Sequence, residues 1–246
     1  MCGRAPAGDA ARMITFEAVT RRRGPRTILS DVTFTAAPGR VTGFVGPNGA
    51  GKSTSLRILL GLERADAGRA RVDGQRYADL PRPLTHIGAS LGGAGAHPAR
   101  RAADHLAWVA ASNRIPRRRI GEVLDEVGLA EHARRRVRTF SLGMAQRLGI
   151  ATALLGEPPV LVLDEPINGL DPEGIRWIRA LVRRRADAGG TVLLSSHVMA
   201  EVAEVADDVV VIAGGRVRAA GPLGDVAGAY ASLEDAFFTL TAGGGR

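Results

Sequence analysis

At 246 residues, 45% of them hydrophobic, the chain is long enough for one α/β domain, or one domain with a subdomain, and for a substantial core. One cysteine, Cys2, excludes an internal disulfide and a cysteine-rich zinc site and fits a reducing cytoplasm, and no apolar run reaches the roughly 18 residues that cross a membrane. A net charge of +8 admits nucleic acid or an anionic membrane surface as partners, but the arginine triplets at 21–23, 117–119, 134–136 and 183–185 lie far apart with no aromatics between them. That pattern favours solvated helix faces over a nucleic-acid groove.

In chain order, residues 1–12 have no apolar segment of the kind a secretory signal needs, and read as a flexible tail, with Met13 an alternative start. Residues 13–45 alternate apolar and polar side chains around turns at Gly24-Pro25 and Pro38-Gly39, which predicts an antiparallel β layer. Val41 to Val45 reads as a short buried strand, and Ser53 to Leu60 as a helix ended by Gly61. Short strands and turns continue over 63–87. From about 98 to 156 the apolar spacing becomes three and four, over Ala102–Ala111, Ile120–Val127 and Leu142–Leu155, which predicts a helical insertion. Val160–Leu163, Thr191–Leu194 and Val209–Ile212 are continuous apolar runs, as in strands covered on both faces, with a helix over 173–188 between the first two. A turn at Gly214-Gly215 and a helical tail over 226–246 complete the chain.

Between the strand at 41–45 and its helix lies Gly46-Pro47-Asn48-Gly49-Ala50-Gly51-Lys52-Ser53-Thr54, a match to the phosphate-binding loop in the strand–loop–helix context that the motif requires. Its glycines allow the backbone N–H groups to turn toward one point, and the helix N-terminus adds partial positive charge. Lys52 is the only lysine of the chain; every other long basic side chain is arginine. A compact ammonium reaches phosphate oxygens under a loop where a planar guanidinium does not fit equally well. Lys52 is thus expected on the β- and γ-phosphates of a nucleotide, and the Ser53 hydroxyl on Mg²⁺. The apolar strand from Val160 ends in Asp164-Glu165-Pro166, which brings two carboxylates to the sheet edge beside the loop. Asp164 is expected to hold Mg²⁺ and Glu165 to polarise the attacking water. Ser141, in Phe140-Ser141-Leu142-Gly143-Met144-Ala145-Gln146-Arg147, reads as the N-cap of the following helix.

These motifs, with Asn168-Gly169-Leu170-Asp171 and Ser195-Ser196-His197, stand in the order and spacing of the ATP-binding subunits of ABC transporters, which the chain resembles over roughly 13–225. The Ser-Leu-Gly-Met form and the ending Ser232-Leu233-Glu234-Asp235-Ala236-Phe237 resemble the bacterial drug and antibiotic exporter branch. The resemblance implies a P-loop NTPase core with a mainly parallel sheet, an N-terminal antiparallel β layer and a helical subdomain at about 88–156. It implies two such subunits, in a homo- or heterodimer, paired head to tail with ATP between them. Ser141, Leu142, Gly143 and Met144 would face the ATP held by the partner's loop, Asp171 would couple the two sites, and His197 would hold Glu165 and the water in line. It further implies hydrolysis of Mg²⁺-bound ATP on the cytoplasmic face of the membrane, driving a separate transmembrane permease.

Two positions depart from the family. Gly92 stands where a glutamine or an acid contacts Mg²⁺, implying either that water completes the ion's shell or that hydrolysis and coupling are weakened. Arg23 stands where an aromatic stacks on adenine, a role a planar guanidinium can fill. Two other readings stand beside the transporter: an ABC ATPase acting on nucleic acid or ribosomes, and a weakly hydrolysing regulatory module.

Overall fold

The computed structural model describes residues 12–228, 230 and 232–242. Of the segment expected to be a flexible tail, only Arg12 is among them, and its carbonyl accepts from the Thr191 hydroxyl.

Two sheets form the frame. β1 (Ile14–Arg23) pairs antiparallel with β2 (Arg26–Ala36) and with β4 (Ala67–Val72) in a three-stranded sheet. The second sheet has six strands in the order β5-β6-β7-β3-β8-β9. They are β5 (Ile87–Ser90), β6 (Val160–Asp164), β7 (Thr191–Ser196), β3 (Val41–Val45), β8 (Asp208–Ala213) and β9 (Arg216–Pro222). The first five are parallel, and β9 runs antiparallel to β8. β3 and β6 are buried at every residue, so their unbroken apolar runs follow from having no solvent face.

Helices cover the large sheet: α1 (Lys52–Leu59), α2 (Ala102–Ser112), α3 (Arg118–Glu126), α4 (Leu142–Leu154), α5 (Pro172–Asp187), α6 (Met199–Ala203), α7 (Leu223–Gly228) and α8 (Leu233–Thr241). On one face, α1 and the small sheet enclose a core in which Phe16 stacks on Phe34 at 4.4 Å and Phe34 leans on Phe44 of β3 at 5.0 Å. Three of the six phenylalanines of this aromatic-poor chain therefore join the two sheets. On the other face, α2 to α5 share a core of Leu, Val, Ile and Ala.

Three features were not anticipated. The hairpin partner β9 follows Gly214-Gly215, whose φ values of 57° and 74° suit the two-residue turn of a hairpin. The short helix α6 has only five residues, too few for periodicity to reveal. The C-terminal helices do not stand apart: Val226, Leu233 and Phe237 share a small apolar cluster with Val209 and Val211 of β8.

Candidate active site

The loop 46–51 leaves β3 and enters α1 at Gly51, whose φ of 110° is closed to most side chains. A Cβ there would also lie 2.4 Å from Leu29 Cδ2. No side chain caps the α1 N-terminus and its first turn holds no acid, so its N–H groups remain available to an anion. Residues 47–54 line a cleft of about 350 Å³ together with Arg23, Arg26, Ile28 and Glu165. Ser53 is exposed at this cleft and Thr54 is half-buried.

Lys52 is only 6% exposed. Its Nζ donates to Gly46 O at 2.6 Å and to Pro47 O at 3.4 Å, and lies 3.7 Å from Glu165 Oε1. Burial lowers its pKa from the ordinary lysine value, opposed by the nearby carboxylates of Glu165 and Asp164. The other Glu165 oxygen, Oε2, meets His197 Nδ1 at 2.7 Å. Lys52, Glu165 and His197 thus form one chain of contacts, contributed by α1, the end of β6 and the end of β7. Parallel neighbours in register bring these ends together: Asp164 lies opposite Ser195 and Val45 opposite Ser196.

Glu165 has a left-handed backbone, with φ of 49°. Strain of this kind costs about 1–3 kcal/mol and persists where surrounding bonds enforce it. Here its N–H donates to Ser195 Oγ at 3.0 Å and to Ser195 O at 3.2 Å. Ser195 Oγ in turn donates to Asp164 Oδ1. Ser195 is therefore a positioning residue for both acids. Its sequence signal, a serine at the end of an apolar strand, is too common to single out alone.

Gln146 of α4 is the second residue whose part emerges only in three dimensions. It is buried, accepts from Gly93 N at 3.0 Å, and donates to Glu165 O at 3.4 Å. It joins the glycine-rich loop after β5 to the backbone of Glu165. Gly92, beside it, has φ of 89° and open space around its Cβ position.

The remaining predicted residues lie elsewhere or have other partners. Ser141 caps α4, accepting from Met144 N at 3.2 Å, and neither it, Leu142, Gly143 nor Met144 lines the Lys52 cleft. Leu142 is exposed and Gly143 lies against the Gly169 carbonyl. Asp171 caps α5 by accepting from Gly174 N at 2.7 Å. Arg23 borders the cleft, but its guanidinium is held by both oxygens of Glu63, with Nη2 to Oε2 at 2.9 Å. Stacking on a base therefore competes with an existing ion pair.

A family model described as ABC transporter matches residues 29–168, more than half of the chain. The chain belongs to the ABC transporter family. It is 37% identical to the lantibiotic transport ATP-binding protein SrtF of Streptococcus pyogenes, over 83% of this chain and 89% of that one. It is 38% identical to the daunorubicin resistance ATP-binding protein DrrA3 of Streptomyces coeruleorubidus, over 85% of this chain and 67% of that one. A solved structure of the ATP-binding subunit of an ABC transporter superposes with a TM-score of 0.85 at 29% identity, covering 93% of this chain and 99% of the other. This ABC protein is an ATP-hydrolysing subunit whose partner is a membrane permease. No helix among its described residues is long and apolar enough to cross a membrane. The readings as a nucleic-acid ATPase or a regulatory module are not favoured by these relatives.

Proposed function

We propose that this subunit powers the export of a drug or antibiotic, with ATP hydrolysed at the interface of two ATP-binding subunits paired head to tail on the cytoplasmic face of the membrane. The observation that carries the chemistry is the contact chain of Lys52, Glu165 and His197 at the mouth of the phosphate loop. In this reading the phosphates replace Gly46 O, Pro47 O and Glu165 as partners of Lys52. Glu165, freed from the ammonium and still held by His197, accepts a hydrogen bond from water aligned with the γ-phosphate.

Ser53 and Asp164 supply one hydroxyl and one carboxylate, hard oxygen donors that suit Mg²⁺ carried in with phosphates. Ser195 already orients one oxygen of Asp164. Held by these two residues, Mg²⁺ would supply positive charge against that of the phosphates. Ser141, Leu142, Gly143 and Met144, outside their own chain's cleft, complete the site of the partner subunit, with Asp171 between the two sites. Arg23 turns from Glu63 to the base. Gly92 offers no side chain to the ion, and hydrolysis is correspondingly slow.

The names of SrtF and DrrA3, a lantibiotic transport protein and a daunorubicin resistance protein, support a drug or antibiotic as cargo. The test is Glu165→Gln. Turnover falls by about a hundred-fold or more, while ATP shifts the purified subunit to a dimer in size-exclusion chromatography. Unchanged turnover would remove Glu165 from the chemistry. A variant that binds ATP yet stays monomeric would remove the paired site. Export is tested by co-expression with its permease and the resulting drug tolerance of the cells.

A further inference from the structure

We propose that the helical region also carries a docking surface for the anionic headgroups of a phospholipid bilayer, formed by Arg100, Arg101, Arg134, Arg135, Arg136 and Arg138 beside Trp108. It goes beyond the ATP site and does not depend on it. In the sequence these arginines form two separate groups, but the fold joins them. Arg101 and Arg136 form an antiparallel bridge, Val137 N donates to Arg100 O at 2.9 Å, and Arg138 N donates to Pro98 O at 2.9 Å.

The contrast with the other triplets selects this surface. Arg21 and Arg23 pair with Glu63. Arg118 and Arg119 pair with Glu122. Arg183 pairs with Asp187 and Asp207, and Arg185 with Glu126. None of the six arginines named above forms an ion pair among the described residues, and neither do the adjacent acids Asp104 and Glu131. Five of the six are exposed, and Arg100 is half-buried.

Trp108 supplies the apolar component. The residue is 59% exposed, with the Arg100 guanidinium 5.0 Å from the centroid of its ring. An amphipathic ring beside one unpaired cation of the patch suits the headgroup layer of an anionic membrane. A single-stranded nucleic acid calls for a series of stacking aromatics, and this patch has one, already covered by a guanidinium.

The test is co-sedimentation of the full chain with phosphatidylcholine vesicles, with and without phosphatidylglycerol. Binding is expected only with phosphatidylglycerol, weakening as salt rises. It falls by about ten-fold or more in the triple variant Arg134→Gln, Arg135→Gln, Arg136→Gln, and it falls in Trp108→Ala. The triple variant Arg57→Gln, Arg64→Gln, Arg82→Gln removes equal charge at exposed, unpaired positions elsewhere and retains binding. The shift in melting temperature on adding ATP reports an intact fold in every variant. Should the first triple variant lose that shift, Arg101→Gln with Arg138→Gln probes the same patch. Equal binding to both vesicle types, equal loss in the two triple variants, or tighter binding to an oligonucleotide than to phosphatidylglycerol vesicles at the same salt overturns the proposal.

Discussion

The Lys52 ammonium has two kinds of partner, the loop carbonyls of Gly46 and Pro47 and the carboxylate of Glu165. Carbonyls leave much of the charge uncompensated in a buried position, which is why burial dominates its lowered pKa. A phosphate offers far more, so the loop is poised to exchange its own oxygens for those of a nucleotide. A broad planar guanidinium is not interchangeable with this compact ammonium 2.6 Å from Gly46 O. Gln146 acts one step away. Its amide spans Gly93 N and Glu165 O, so Gln146→Leu removes both bonds and lets the strained Glu165 relax. Turnover is expected to fall about ten- to a hundred-fold, while the melting-temperature shift with ATP persists. Gln146→Glu, which retains an acceptor for Gly93, is expected to recover part of the loss. Equal loss of ATP binding would make Gln146 merely structural. Lys52, Asp164, Glu165 and His197 were legible because rare residue types stand at motif spacing. Ser195 and Gln146 stand inside the same motifs, but their positioning roles were not legible, because hydrogen bonding to a backbone group elsewhere in the chain leaves no local pattern.

At the scale of the element, Ser141 combines a cap with a proposed phosphate contact, and two substitutions separate them. Ser141→Ala removes the bond to Met144 N and costs about 1 kcal/mol of stability. Ser141→Asp retains a good cap and near-original stability, but sets a carboxylate against the partner's γ-phosphate. Thermal melts should therefore distinguish the two variants, while both lose turnover. Full activity in Ser141→Asp would leave the residue with the cap alone. The packing of α2 on α4 carries a pH dependence. His105 is buried, its Nε2 meets Thr152 Oγ1 at 3.2 Å, and its Nδ1 is without a partner among the described residues. Burial, aided by Arg100, lowers its pKa below the ordinary histidine value. As pH falls below about 6.5 the unfolded chain takes up a proton that the folded chain refuses. Stability is thus fully present above that pH and lost as pH falls through the folded pKa. The melting temperature should drop more steeply between neutral and mildly acid pH in the wild type than in His105→Gln, and parallel slopes would show that His105 contributes nothing. The helices α2 to α4 were legible from apolar spacing, whereas α6 was too short for any period, and β9 required its partner β8 to become a strand.

For the whole molecule, nucleotide binding is a stability term. A saturating ligand at a hundred times its Kd adds about 2.7 kcal/mol, or about 5–10 °C for a chain of this size. That shift should survive in Glu165→Gln and be largely lost in Lys52→Arg; a full shift in Lys52→Arg would make the solitary lysine a matter of composition alone. Motif order, the buried strands and the family resemblance were all readable from residues alone, because glycine, lysine and paired acids at set spacings and unbroken apolar runs are local consequences of phosphate chemistry and two-sided burial. Which strand ends meet was decided by strand order: β6, β7 and β3 are neighbours although far apart in the chain, and only that adjacency brings Glu165, His197 and Lys52 into contact. The same holds for charge. The chain disperses its arginines, but backbone pairing between residues 98–102 and 135–138 gathers one set that forms no ion pair among the described residues, while carboxylates hold members of the other triplets. Composition specifies how much charge there is, and tertiary contacts decide where it remains unpaired.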